Sequence, residues 1–377
     1  MHKYILIPDS FKGTLSARDF CAVAREAIGR ADPGAQVLSI PLADGGEGTV
    51  EAFLAACGGR RIECPCTGPY GGTAPGFYGL LPDGTAVVEL AAAAGLPLAG
   101  TDLHPADATT YGVGQLMAHA LSRGAKRLVL GLGGSATNDG GCGAAAALGA
   151  EFLDVKGRAF VPTGGTLTQI AHIRMEGLRE TMAGAEVTVM CDIDNPLCGP
   201  AGAAAVFGPQ KGADAAMVAR MDAGLRHLAE TLEKDVGMEV LTLAGGGSAG
   251  GFGAGAAAFF GGQLRMGIDV VLDITDFDRK CRGASLVITG EGHLDSQSLR
   301  GKTVVGVARR ARALGVPAAA LVGGCETALD AVYAEGVSGV FPIHPALCTW
   351  PQAAARTEED LRFTMGNLLR FMAALRR

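Results

Sequence analysis

The sequence predicts an α/β fold with a mostly parallel sheet and two domains. Short runs rich in β-branched residues and leucine alternate with segments of helical periodicity, which is the pattern of βα units. The length of 377 residues exceeds what one hydrophobic core usually organises. Hydrophobic residues make up 48% of the chain, aromatic residues only 5%, and 58 residues are glycine. We therefore expect a core of aliphatic side chains and closely approaching backbone.

Charge and cysteine content exclude several classes of protein. The net charge of −6 and the pI near 5.7 argue against a nucleic-acid partner, which needs a basic face. Cys64 and Cys66 have no second cysteine pair or histidine at zinc-finger spacing, so we expect no structural metal site.

The apolar run at residues 4–7 is too short for a signal peptide, and no run reaches a membrane span of roughly 18 apolar residues. We expect a cytoplasmic protein with reduced thiols and no membrane partner.

The flanking residues predict where the elements begin and end. Residues 4–8 should form a strand, and Ser16 should cap the helix that follows it. Pro33 and Gly34 end that helix before a second strand at 36–42. The later elements are a helix opened by Thr110, strands at 127–132, 186–190, 240–243, 285–289, 318–322 and 339–342, and a final amphipathic helix capped by Thr357.

Polar, glycine-rich loops follow six of the predicted strands. Because ligands bind outside the carboxyl ends of parallel strands, these loops could line one site. Their glycines would let backbone N–H groups approach an anion, and a helix starting after the loop adds its positive dipole end. Each loop alone could also be ordinary turn chemistry, with an Asp or Ser as a helix cap. The six loops are residues 9–12, 43–49, 133–141, 191–196, 245–251 and 289–295.

Two segments resemble nucleotide-binding motifs, and only one of them keeps the required glycines. Residues 300–303 resemble the end of a P-loop, but Ser296 stands where its first glycine belongs, so a P-loop is rejected. The segment 131–136 matches a weak form of the dinucleotide fingerprint, with Glu151 at a ribose-binding distance. An NAD-dependent hydroxy-acid dehydrogenase is therefore one alternative.

A serine motif gives a second alternative. Ser248 lies in a Gly-x-Ser-x-Gly pattern, and Asp295 and His344 follow in the order of an α/β-hydrolase. However, among seven histidines only His293 and His344 lie near the polar loops, so carboxylates, lysine and backbone donors are favoured over histidine chemistry. A non-catalytic solute-binding protein is the third alternative, and it would be expected to carry an export signal.

Taken in order, the loop sequences resemble the bacterial glycerate kinases of the two-domain α/β type, and the similarity runs essentially from end to end. His293 departs from the arginine that is common at its position, which removes a permanent charge from an anion contact. The matching segments are Pro-Asp-Ser-Phe-Lys at 8–12, Ala-Asp-Gly-Gly-Glu-Gly-Thr at 43–49, Gly-Gly-Ser-Ala-Thr-Asn-Asp-Gly-Gly at 133–141, Cys-Asp-Ile-Asp-Asn-Pro-Leu at 191–197, Phe-Gly-Pro-Gln-Lys-Gly-Ala at 207–213 and Thr-Gly-Glu-Gly at 289–292, continued at 294–297 and 301–302.

This resemblance implies a reaction and an architecture. The reaction is ATP-dependent phosphorylation of D-glycerate with Mg²⁺, and 2-phosphoglycerate is favoured over 3-phosphoglycerate as the product. The architecture is a flavodoxin-like or Rossmann-like parallel-sheet domain of residues 1–63 and 284–377, a second α/β domain inserted at 64–283, and a cleft between them. Part of 105–190 could belong to the first domain. ATP and D-glycerate are then the partners, and the oligomeric state stays open.

Residue roles follow as hypotheses. Asp192 is the candidate general base, although it could instead cap the turn at Asn195. Lys12 is the candidate cation for developing phosphate charge, with Lys211 and Lys302 as rivals. The candidate metal ligands are Asp192, Asp194 and Glu291. The candidate substrate- or phosphate-binding residues are Ser10, Asp44, Gly45, Gly46, Glu47, Ser135, Thr137, Asn138, Asp139, Asn195, Glu291, Asp295 and Lys302.

Overall fold

A computed structural model describes residues 2–11, 13–43, 45–295, 298–300, 303–326, 329–346 and 349–375. Three predicted site residues, Lys12, Asp44 and Lys302, lie outside these ranges. The strands are β1 (Lys3–Pro8), β2 (Gln36–Ser39), β3 (Arg60–Glu63), β4 (Cys66–Thr67), β5 (Thr73–Ala74), β6 (Phe77–Leu80), β7 (Thr85–Glu89), β8 (Arg127–Gly131), β9 (Glu151–Leu153), β10 (Ala159–Phe160), β11 (His172–Arg174), β12 (Glu186–Met190), β13 (Gln263–Arg265), β14 (Leu286–Leu294), β15 (Ala318–Cys325) and β16 (Val337–Pro342).

Helices alternate with these strands. Short 3₁₀ turns occur at Leu167–Gln169, Pro209–Lys211 and Ser298–Arg300. The α-helices are α1 (Ala17–Ala31), α2 (Thr49–Cys57), α3 (Ala91–Ala94), α4 (Leu96–Ala99), α5 (Tyr111–Ser122), α6 (Cys142–Ala147), α7 (Glu176–Thr181), α8 (Ala203–Phe207), α9 (Ala215–Val236), α10 (Ser248–Phe260), α11 (Gly267–Ile274), α12 (Phe277–Cys281), α13 (Thr303–Ala313), α14 (Asp330–Ala334) and α15 (Trp350–Leu375). The predicted α/β fold class is confirmed.

The chain divides into two compact units. Unit 1 contains Met1–Ala43, Ala55–Cys57 and Ile268–Arg377, and unit 2 contains Asp44–Leu54 and Gly58–Gly267. Unit 1 is thus built from both ends of the chain. The domain boundaries proposed from the sequence, after residues 63 and 283, stay a prediction, because compactness does not test which segments fold independently.

Unit 1 is organised by a five-stranded sheet in the order β16-β15-β14-β1-β2, with every neighbouring pair parallel. Read from the other edge, this is the flavodoxin order 2-1-3-4-5, with unit 2 inserted between the second and third strands. Its strands are continuous apolar runs, as expected for a parallel sheet covered on both faces. Phe20 of α1 and Leu361 and Met365 of α15 share a buried cluster with Leu6 of β1.

Unit 2 contains a six-stranded sheet in the order β13-β12-β8-β7-β6-β3. Strands β7, β8, β12 and β13 are parallel, whereas β6 and β3 join as antiparallel neighbours. The main buried cluster joins Leu116 of α5, Ala144 of α6, Leu228 of α9 and Phe252 of α10. Smaller sheets of β10-β9-β11 and β4-β5 complete the unit.

Two loops of unit 2 are held together where only glycine fits. The N–H of Gly133 donates to the carbonyl of Gly45 at 2.9 Å. A Cβ on Gly131 would lie 2.5 Å from the carbonyl oxygen of Gly45, and a Cβ on Gly133 would lie 2.5 Å from Cα of Gly46. The opposing atoms belong to the backbone, so no side-chain rearrangement could relieve these contacts. The loop before α2 therefore rests on the carboxyl end of β8.

A predicted strand and a predicted helix cap are wrong. Residues 240–243, predicted as a strand, form a turn, because the Glu239 carboxylate accepts the N–H groups of Leu241 and Thr242. Thr357, the predicted cap of the last helix, lies inside α15, where its hydroxyl donates to the Ala353 carbonyl at 3.0 Å. By contrast, Ser16 caps α1 as predicted and accepts the Asp19 N–H at 3.1 Å.

Within the described residues, no helix is both long enough and apolar enough to cross a lipid bilayer.

Substituting Gly133 with alanine should destabilise the protein by about 1–3 kcal/mol, because the new methyl group overlaps backbone that cannot move aside. Urea unfolding followed by circular dichroism measures this loss. The matched control is Gly29→Ala in α1, where nothing lies within 4 Å of the added Cβ. That control should gain about 0.5–1 kcal/mol from helix propensity. Equal stability of Gly133→Ala and the wild type would contradict the close approach of the loops.

Candidate active site

The carboxyl ends of the parallel strands of unit 2 lie in register. Glu89 pairs with Gly131, Gly131 with Met190 and Met190 with Arg265. The segments that leave these strands therefore start side by side on one edge of the sheet. In parallel sheets this edge is where ligands bind. Of the six loops predicted from the sequence, those at 133–141, 191–196 and 245–251 lie in unit 2, as does the loop at 43–49 apart from its first residue.

Glu89 fixes the position of the loop at residues 45–49. Its carboxylate, only 1% exposed, accepts the N–H of Val50 in the first turn of α2 at 2.6 Å. Within the loop, the Thr49 hydroxyl donates to the Gly46 carbonyl at 2.7 Å. Burial raises the pKa of Glu89 to about 7, although the Val50 hydrogen bond opposes the shift. Glu89 is a site residue that the sequence did not predict; its local signal is the single acidic residue that ends the buried strand Thr85–Glu89.

Asp139 ties together the beginnings of two helices. One carboxylate oxygen accepts the backbone N–H and the hydroxyl of Thr110, each at 2.8 Å, and the N–H of Gly143 at 3.2 Å. The other oxygen accepts the Gly141 N–H at 3.1 Å. Burial raises the pKa of Asp139, and these four donated hydrogen bonds oppose the shift. Asp139 therefore organises the turn between β8 and α6 and the start of α5.

Lys211 is buried against the loop at residues 135–138. Its ammonium donates to the Thr137 carbonyl at 2.6 Å and to the Ser135 hydroxyl at 3.2 Å. Burial lowers the pKa of Lys211 to about 7, and the nearby Asp139 carboxylate opposes the shift. Ser135 also lies 3.0 Å from the Thr137 hydroxyl. From the sequence, Lys211 is only an alternative to Lys12 as the phosphate-binding cation. No neighbouring residue in the sequence predicts that Lys211 is 97% buried.

The loop after β12 carries the candidate base. One carboxylate oxygen of Asp192 accepts the N–H of Gly267, the first residue of α11, at 2.7 Å. Asp194 is exposed, and the side-chain amide of Asn195 donates to the Ala201 carbonyl at 2.9 Å. Asn195 thus stabilises its own loop, whereas Asp192 lies at the strand end where the sequence analysis placed it.

The loop at residues 245–251 packs on both neighbouring loops. The N–H of Gly247 donates to the Asn195 carbonyl at 3.0 Å, and the N–H of Gly140 donates to the Gly250 carbonyl at 3.1 Å. The Ser248 hydroxyl is 4% exposed and donates to the Gly245 carbonyl at 2.7 Å. Ser248 therefore has the environment of a buried structural serine and does not support the serine-hydrolase alternative.

The parallel sheet of unit 1 also has a carboxyl edge at which a ligand could bind. After β1 the chain moves outward to β2, and it later returns on the other side of β1 as β14, so a topological switch point lies between β1 and β14. Ser10 follows β1, and its N–H donates to the Asp9 carboxylate at 2.7 Å. Strand β14 continues past its last pair with β1, which joins Gly290 to Pro8.

The continuation of β14 carries Glu291, and Asp295 follows it. The Ser298 hydroxyl donates to Glu291 at 3.0 Å, and the Ser298 N–H donates to Asp295 at 3.2 Å. The segment 289–295, predicted as a loop, is therefore mostly strand. Its side chains still lie at the carboxyl edge, so Ser10, Glu291 and Asp295 belong to unit 1, whereas the remaining described candidates belong to unit 2.

Comparison with known proteins identifies the family. The model of the glycerate kinase family matches residues 4–373. A glycerate kinase of Bacillus subtilis (strain 168) is 45% identical over 368 residues, which cover 97% of this chain and 96% of the relative. The glycerate 2-kinase of Escherichia coli (strain K12) is 39% identical over 353 residues, which cover 93% of each chain. A crystal structure from Salmonella typhimurium LT2, provisionally named glycerate kinase 2, matches with a TM-score of 0.88 at 40% identity and covers 100% of this chain and 99% of that chain.

The chain therefore belongs to the glycerate kinase family and is a kinase. The predicted family, the enzyme class and the two-part α/β fold are confirmed. Neither the dehydrogenase nor the hydrolase alternative receives support from these relatives.

Replacing Asp139 with asparagine should destabilise the protein by about 3 kcal/mol or more, because the change removes a buried charge that accepts four hydrogen bonds and balances Lys211. The free energy of unfolding in urea measures the effect. Asp102→Asn is the matched control, since that side chain is 92% exposed, and it should stay within about 0.5 kcal/mol of the wild type. A loss at Asp139 no larger than in the control would show that the network adds no stability.

Glu89 should make stability depend on pH. Because its folded-state pKa of about 7 lies above the unfolded value of 4.5, the native state binds the extra proton between these values. Stability should therefore fall as pH rises from about 4.5 to 7, by at most about 1.4 kcal/mol per pH unit. Glu89→Gln should remove this fall, as read from urea midpoints across that range. Glu180→Gln, on an exposed position of α7, should keep it.

Proposed function

We propose that this member of the glycerate kinase family transfers the γ-phosphoryl group of ATP to the 2-hydroxyl of D-glycerate, with Mg²⁺, and forms 2-phosphoglycerate. Support for the substrate comes from the names of the relatives, and support for the 2-position comes from the Escherichia coli glycerate 2-kinase, with which 39% of the aligned residues are identical. A reaction that consumes ATP fits the cytoplasmic location predicted from the sequence.

The observation that carries this proposal is the placement of Asp192. Phosphoryl transfer needs positioning, charge neutralisation and a group that takes the proton of the attacking hydroxyl. Asp192 lies at the carboxyl end of β12, and the Gly267 N–H holds one of its oxygens at 2.7 Å. A carboxylate fixed in this way is oriented before substrate arrives. In the proposed step, the 2-hydroxyl oxygen attacks the γ-phosphorus, its proton passes to Asp192, and ADP leaves.

Phosphate groups would bind to the glycine-rich loops. Helix α2 begins at Thr49, three residues after Gly46, so backbone N–H groups and the helix dipole favour an anion there. Glu47, exposed in the same loop, stays a candidate for a hydroxyl or metal contact. In unit 1, Ser10 and the β14 carboxylates are the candidate contacts. Lys12 and Lys302 stay proposed phosphate ligands, and Asp44 stays a candidate for a metal or hydroxyl contact; all three lie outside the described residues.

The carboxylates present are compatible with Mg²⁺. Across the described ranges, no group of three or more histidine, cysteine or acidic side chains is arranged to hold a metal. Mg²⁺ in kinases is bound by one or two carboxylates together with water and substrate phosphates, so a complete protein cage is not needed. Glu291 or Asp194 would supply such ligands, and Asp192 would join Asp194 only in place of its role as the base. The ion, when bound, neutralises charge on the transferring phosphate.

An assay with D-glycerate, ATP and Mg²⁺ should release ADP. Phosphorus NMR then identifies the product, because a phosphate ester at carbon 2 couples to one proton and an ester at carbon 3 couples to two. Absence of turnover with any small hydroxy acid would refute the kinase proposal, and the two-proton pattern would refute the 2-position.

Asp192→Asn should lower kcat by about 10²-fold to 10⁴-fold, because the amide cannot accept the hydroxyl proton. The urea midpoint should change little, since the Gly267 hydrogen bond can still form. Asp102→Asn, at an aspartate whose side chain is 92% exposed, serves as the control and should keep wild-type kcat. Full activity in Asp192→Asn would remove Asp192 from the mechanism.

A further inference from the structure

The side-chain amide of Asn138 is buried and has no hydrogen-bond partner among the described residues. Its side chain is 0% exposed, and neither its nitrogen nor its oxygen meets a donor or acceptor among the residues that the structure describes. Buried polar atoms in native proteins are nearly always paired, and exceptions concentrate at functional sites. An amide with both atoms unpaired is suited to a ligand that offers an acceptor and a donor close together.

A buried ammonium contacts the same loop. Nζ of Lys211 lies 2.6 Å from the Thr137 carbonyl oxygen, and that carbonyl belongs to the peptide unit that ends at Cα of Asn138. The ammonium has three N–H groups, and within the described part of the chain two of them have acceptors, Thr137 and Ser135. A third N–H remains for a ligand.

The charge of this cluster is balanced. The carboxylate of Asp139 offsets the ammonium, and its oxygens accept the four hydrogen bonds from Thr110, Gly141 and Gly143. Asp139 is therefore committed to the protein, whereas Lys211 and Asn138 retain hydrogen-bonding capacity. The groups with remaining capacity are two kinds of N–H donor and one amide oxygen.

We propose that Asn138 and Lys211 form the subsite that binds the carboxylate of the hydroxy-acid substrate and the hydroxyl that is not phosphorylated. The amide nitrogen and the ammonium donate to the carboxylate, and the amide oxygen accepts the spectator hydroxyl. A nucleotide phosphate would satisfy the donors but would leave the amide oxygen unpaired. This subsite deepens the proposed function and rests on it. With phosphorylation at the 2-position, the spectator is the 3-hydroxyl, and Asn138 is a specificity-determining residue.

The test compares two acids on matched variants. D-Lactate has the carboxylate and the 2-hydroxyl of D-glycerate but lacks the 3-hydroxyl. Calorimetry with a non-hydrolysable ATP analogue present should show that the wild type binds D-glycerate about tenfold tighter, as expected for one added hydrogen bond. Asn138→Leu should bind the two acids within about twofold of each other. Asn138→Asp keeps an acceptor but repels a carboxylate, so it should bind both acids weakly and still prefer D-glycerate.

Lys211→Met should lower the affinity for D-glycerate and for D-lactate by the same factor of ten or more. The affinity for the ATP analogue should stay unchanged. Lys234→Met, whose side chain is 63% exposed on α9, is the control and should change none of these values. Because burial places the pKa of Lys211 near 7, the wild type should take up a proton on binding either acid at pH 8, and Lys211→Met should not. Binding heats in buffers of different ionisation enthalpy measure this uptake.

Three results would overturn the subsite. These are an unchanged preference for D-glycerate in Asn138→Leu, unchanged acid affinity in Lys211→Met, and weaker ATP-analogue binding in Lys211→Met as the main effect. Analogue binding also reports that each variant is folded. Failure of the proposed function looks different, because the wild type itself would then neither bind nor phosphorylate D-glycerate.

Discussion

The close approach of Gly45 and Gly46 to Gly131 and Gly133 is the contact on which the proposed site depends. Strand β8 and the loop before α2 lie about 85 residues apart in the chain, yet their backbones touch where a single methyl group would not fit. This contact positions the start of α2 at the carboxyl end of β8. The Glu89 carboxylate holds the same helix start by accepting the Val50 N–H. Glycine is thus needed here for the space it leaves, and not only for its backbone freedom.

The loop that follows Gly133 is stabilised by buried charge. Asp139 accepts donors from the starts of α5 and α6, and Lys211 reaches the other end of the same loop from a 3₁₀ turn more than 70 residues away. Two opposite charges held inside a protein are tolerated only when each is hydrogen-bonded. Because both are, hydrogen bonds to both charges hold this loop in place in addition to its attachment to β8, which suits its proposed role in binding substrate.

Local features of the sequence predicted much of this structure. The apolar runs of β1, β8, β12 and β15 and the cap at Ser16 depend on neighbouring residues, so they could be predicted from a short window. Residues 240–243 have strand composition but fold as a turn because the Glu239 side chain takes their donors. The roles of Glu89 and Lys211 depend on contacts with Val50 and Thr137, which are distant in the chain. The family motifs located the loops, but only the packing reveals which polar groups remain unpaired.

The insertion of unit 2 has a consequence for how the chain is made. Strand β1 lies between β2 and β14, and Ile5 pairs with Val287, so more than 280 residues must be synthesised before β1 gains its central neighbour. Unit 2 emerges from the ribosome complete during that interval, and a domain can fold during synthesis. The apolar run Tyr4–Ile7 is buried in the complete sheet, but until β14 is synthesised it can pair only with β2. A nascent chain in which unit 2 folds first would carry β1 and β2 as an incomplete, aggregation-prone part of unit 1, the kind of intermediate that chaperones bind.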